Sequence, residues 1–101
     1  MAYKSWHEFL SKFPKHSKHT LGKKIDYLFL ETIEFVVKAN YSDRIEKLIF
    51  LNRASTKLDL LKFFLQLSWE TKSLDNKKYI LLSEKLNEIG KMLGGWIKSL
   101  K

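Results

Sequence analysis

The chain has no cysteine among its 101 residues. That excludes a disulfide framework and a thiolate zinc site, and it fits a reducing compartment. No uncharged run approaches the roughly 18 residues that a membrane span needs. The opening "MAYKSWHEFL" also lacks the apolar core of a signal peptide, so the sequence predicts a cytoplasmic protein with no membrane partner. A single proline and four glycines leave long stretches unbroken. Acid is scarce: 11 Asp and Glu stand against 19 Lys and Arg, a formal net charge of +8. Between Glu8 and Asp26 there is no acidic side chain at all, while Lys12, Lys15, Lys18, Lys23, Lys24, His16 and His19 all fall there.

What is present is a folding sequence. Hydrophobic residues make up 45% and aromatic residues 14%, which is incompatible with a disordered chain despite the charge. At this length residues 1–101 are expected to form one domain around one core. An excess of base on a folded surface favours a polyanionic partner, with nucleic acid ahead of an anionic membrane or an acidic protein.

Apolar residues recur every three or four positions and do not alternate, which predicts an all-α fold. Tyr3, Trp6, Leu10 and Phe13 mark a short first helix that Pro14 stops or kinks, because the residue before proline is driven out of the α region. A second helix is expected from about Leu21 to Asn40, with Leu21, Ile25, Leu28, Phe35 and Ala39 inward and Lys23, Tyr27, Glu31, Glu34 and Lys38 outward. Ser42 or Asp43 is placed to cap a third helix running from about Arg44 to Lys72, whose stripe is Leu48, Leu51, Ser55, Leu58, Leu61 and Leu65. Asp75 or Asn76 is placed to cap a fourth, with Tyr79, Leu82, Leu86, Ile89, Leu93, Trp96 and Leu100 facing in. Four amphipathic helices with short connections close one core as an antiparallel four-helix bundle.

Two segments exceed what a monomeric bundle needs. In "LDLLKFFLQLSW" Leu60, Phe63, Phe64 and Leu67 lie off the core stripe, so the helix is apolar nearly all round and calls for burial on more than one side. In "EIGKMLGGW" three glycines sit within a helical pattern, at about 1 kcal/mol each relative to alanine. Close backbone approach would explain them; fraying from Gly94 onward is the alternative. Phe63, Phe64, Gly90, Gly94, Gly95 and Trp96 are therefore the candidate contacts between copies.

No catalytic site is indicated. No carboxylate pair is marked out for acid/base work, "MLGGW" follows no strand and so is not a phosphate loop, and His16 and His19 lack further ligands nearby. No cofactor or metal is implied. The candidate binding residues are basic: Lys15, Lys18, Lys23 and Lys24 in the opening stretch, and Arg53 with Lys57, one turn apart on the third helix. Such residues hold phosphates without reading sequence. The opposing reading of the opening stretch is a solvated charged loop.

"FPKHSKHTLGKKI", "ASTKLDLLKFFLQL" and above all "LSEKLNEIGKMLGGWIKS" resemble the bAvd-like accessory variability determinant proteins of diversity-generating retroelements. The likeness runs from Phe13 to Ser99. The related intervening-sequence proteins of ribosomal RNA genes share the bundle, but where they carry an "NIAEG"-like segment this chain reads "NRASTKLDLL". The resemblance implies a non-catalytic four-helix bundle that assembles as a ring-like homopentamer. It also implies binding to the element's reverse transcriptase and to RNA or DNA, in support of complementary-DNA synthesis during mutagenic homing. A different-class alternative is a basic interaction module for an acidic protein.

Overall fold

A computed structural model describes residues 2–101. The elements are α1 (Ala2–Leu10), α2 (Lys15–Ser17), a π-helical turn (Lys18–Gly22), α3 (Lys23–Asn40), α4 (Arg44–Glu70) and α5 (Asn76–Ser99). The helix from α2 through α3 is continuous, so four helices make up an all-α bundle, with no strand among the described residues. It is elongated, 43 × 21 × 19 Å.

Helix boundaries follow from local chemistry. Asp43 accepts a hydrogen bond from the Glu46 amide (3.0 Å) and Asp75 from that of Lys78 (2.9 Å), capping α4 and α5. Each such cap stabilises its helix by about 1 kcal/mol. α4 ends where Lys72 takes a positive φ of 63°. Pro14 ends nothing by itself: it holds an extended conformation (φ −54°, ψ 135°), and its carbonyl accepts from the Ser17 (3.0 Å) and Lys18 (2.9 Å) amides to start the next helix. The second helix therefore starts at Lys15 and not near Leu21, because Pro14, with its fixed φ, stands immediately before the new helix as its N-cap.

α4 is the central element, packed on α3 along one flank and on α5 along the other, while α1 lies across α3 and α5. Ile25, Leu28, Leu51, Leu58, Leu61, Leu65, Leu82 and Leu86 form the buried interior. α1 is anchored by Trp6, which has no exposed surface, stacks on Phe29 (6.0 Å between centroids) and meets Phe13 edge-on (5.7 Å). Its indole donates to Asp26 (3.2 Å). Burial, then the neighbouring Asp26 carboxylate, push the Tyr3 phenol above its ordinary pKa. Gly22 sits in close contact here: a Cβ at that position would stand 2.9 Å from a Leu10 methyl, which would have to shift to admit it. At the other end the Arg44 guanidinium donates to the Leu100 carbonyl from Nε (3.1 Å) and a terminal nitrogen (2.8 Å), tying the start of α4 to the end of α5.

α1 is shorter than its neighbours and covers only part of the furrow they leave. An apolar recess of about 310 Å³ remains, walled by Tyr3, Phe29, Ile33, Val36, Val37 and Ile89. No described helix is long and apolar enough to cross a membrane.

Candidate nucleic-acid interface

The opening basic stretch is helical, which corrects the loop reading. Lys15, Lys18, Lys23 and Lys24 are all exposed, carried on α2, the π turn and the first turn of α3. Ser17 between them is buried, and its Oγ accepts a hydrogen bond from the Ser73 Oγ (3.0 Å). Ser73 belongs to the turn between α4 and α5, where its amide and that of Leu74 both donate to the Ser68 carbonyl (2.8 and 3.2 Å). Two distant segments are thus locked together at one end of the bundle.

That end is strongly cationic. The α4–α5 turn and the first turn of α5 add Lys72 and Lys77, both exposed, to Lys15 and Lys18, and Lys12 lies in the α1–α2 turn of the same end. Lys78 is more engaged, its ammonium 3.8 Å from Asp75 and 5.5 Å from the Phe9 ring centroid. Of the acids here, Asp75 is occupied as a cap and Glu70 accepts from Gln66 (2.9 Å); Glu8 is exposed on α1. Neither α2 nor α5 has an acid in its first turn; each carries lysine there instead. This opposes the usual preference, since cations at a helix N-terminus are disfavoured by roughly 0.3–1 kcal/mol each. The arrangement concedes stability where it gathers positive charge. Sequence reasoning missed Lys72 and Lys77 because tertiary contacts such as the Ser17–Ser73 bond, and no local pattern, place them beside the opening stretch. The adjacent lysines in the first turn of α5, directly after its Asp75 cap, were the available sign.

Of the other predicted binding residues, Arg53 and Lys57 do not join this end. Lys24 lies over the Phe64 ring, its ammonium 6.0 Å from the centroid. Lys57 faces α3, where its ammonium meets Glu31 (3.4 Å); Glu31 is therefore between helices and not on an outer face. Arg53 is exposed, but about 25 Å along α4 from the cationic end at the usual rise per residue. Among the described residues no three His, Cys, Asp or Glu side chains gather as metal ligands.

The candidate inter-copy residues divide in the same way. Trp96 is half-buried beneath the Lys47 ammonium (5.9 Å), Phe64 packs on the core, and a Cβ on Gly90 would meet Lys62 Nζ at 3.3 Å and a Leu58 methyl at 3.6 Å. These three are accounted for within the chain. Gly94 and Gly95 have open space around them, and α5 continues helically past both to Ser99, so it does not fray there. Phe63 is 60% exposed.

The sequence matches the family model described as bAvd-like over residues 1–100. No curated protein and no solved structure gives a match.

Proposed function

This chain belongs to the bAvd-like family, whose members are accessory proteins of diversity-generating retroelements, and from that premise we propose that it binds nucleic acid and the element's reverse transcriptase without itself being a catalyst. One observation carries the nucleic-acid part: the Ser17–Ser73 bond gathers lysines from three segments on one rigid end of the bundle. Lysines on a helical backbone lose less freedom on binding than those on a mobile loop do. They engage phosphates of RNA and DNA alike and supply little sequence preference.

Assembly multiplies the effect. We assign the contact between copies to exposed apolar surface along α3, where Tyr27, Leu30 and Val37 face solvent with Tyr41 just past its end, and to the bare backbone at Gly94 and Gly95. Several weak phosphate-binding ends on one particle then act together, so avidity replaces single-site affinity. The homopentamer implied by the family is the assembly this reading adopts.

Reconstitution tests the proposal. Complementary-DNA synthesis from the template RNA by the element's reverse transcriptase, measured with and without the protein, is expected to rise on addition. Unchanged synthesis, together with failure to co-purify with the polymerase, would contradict it.

A further inference from the structure

Between α4 and α5 runs a groove. Near the α4–α5 turn it encloses about 290 Å³ beside Phe63, Gln66, Tyr79 and Ser83, and it continues for about 430 Å³ past Asp59, Gly90 and Lys91. Lys62 and Asn87 line both parts, which makes them one channel. At its mouth Trp69, 39% exposed, stacks on Tyr79 with centroids 5.0 Å apart and rings 9° from parallel. The mouth opens at the cationic end, so whatever that end holds is led toward the groove.

Phe63 is the unexplained residue. Its ring is braced edge-on by Phe64 (5.5 Å between centroids, 85°), and Phe64 is in turn covered by Lys24. Phe63 stands in solvent beside Phe64 and is 60% exposed. Its companions in the groove are two amides, a serine hydroxyl, an ammonium and the Tyr79 phenol, a mixed lining and not the contiguous apolar surface that a protein partner covers. An aromatic face beside amide and hydroxyl groups and a lysine suits a nucleobase with its phosphate. Asp59 is the one carboxylate of the lining, and it lies in the farther part.

We propose that this groove binds single-stranded nucleic acid, with a base stacked on Phe63, Gln66 and Asn87 beside its edge, and Lys62 on the adjoining phosphate. The inference rests on the nucleic-acid reading above and adds that the strand is unpaired, because a base inside a duplex has no free face to stack.

The test measures anisotropy with three probes: an oligouridylate of about 12 nucleotides, within the usual span of single-strand sites, an abasic phosphodiester of equal length, and a duplex. Wild type, Phe63→Leu and Phe63→Trp are compared. Phe63→Leu is expected to lose about 5- to 150-fold in affinity for the oligouridylate, the range for one stacked base, with the abasic chain and the duplex unaffected and Phe63→Trp retaining affinity. The groove assignment is overturned if Phe63→Leu binds all probes as wild type does, or weakens equally on the abasic chain. It is also overturned if that variant changes mass in light scattering, since Phe63 would then be a contact between copies. Wild type that binds none of the probes overturns the nucleic-acid reading itself and this inference with it.

Discussion

Ser73 donates a buried hydrogen bond to Ser17 across 56 positions of sequence, 3.0 Å between oxygens. The bond couples the tight turn between α4 and α5 to the helix that carries the opening lysines. Ser17→Ala should cost about 1–3 kcal/mol, because the Ser73 hydroxyl is left without its partner in a buried place. In a chain of this size that lowers the melting temperature by about 4–8 °C per kcal/mol. Calorimetry checks it, and an unchanged melting temperature would show that the bond is incidental.

Charge on the third long helix ranks below charge at the end of the bundle. Lys57 is committed to Glu31 and Arg53 stands apart, whereas Lys15, Lys18, Lys23 and Lys24 are exposed on helical backbone. Arg53→Gln with Lys57→Gln is therefore expected to weaken binding less than replacing the four lysines does. Parallel titrations against one RNA decide the order. From the sequence alone the rigid-helix argument favours Arg53 and Lys57; it reverses once the opening stretch proves to be helical too.

Gly94 and Gly95 separate assembly from folding. Space around Gly94 is open within the protomer, so Gly94→Leu is expected to leave helical circular dichroism intact or raise it slightly, by the better propensity of leucine. Light scattering should then report a smaller particle, because a side chain intrudes where bare backbone met a neighbour. Loss of helicity in proportion to loss of mass would contradict this division.

Much of the bundle was legible in the periodicity of its apolar residues. The stripe from Leu82 to Leu93 and the capping by Asp43 and Asp75 follow from local rules that tertiary structure had no reason to override. The glutamate and lysine at 34 and 38 pair as their spacing indicates (3.6 Å). What local rules could not supply were relations between helices. Glu31 reads as an outward residue on its own helix and becomes inter-helical only when α4 brings Lys57 to it. Pro14 reads as a stop because nothing local says that the chain resumes a helix at once. Lys72 and Lys77 join the candidate site only through contacts between helices, the Ser17–Ser73 bond among them, and Phe63 reads as surplus apolar surface until the polar lining of its groove is seen.

If the lysine-bearing end of the bundle holds nucleic-acid phosphates, the salt dependence of binding must show it. Wild type is compared with the variant in which Lys15, Lys18, Lys23 and Lys24 are all changed to glutamine, on unrelated RNA and DNA. The variant is expected to bind both more weakly. Its slope of log affinity against log salt should also be smaller in magnitude, by about 0.7–0.9 for each phosphate that a protomer no longer neutralises. Affinity and slope equal to wild type, with helicity and particle mass unchanged, would contradict phosphate binding at this end and turn the basic surface toward an acidic protein instead.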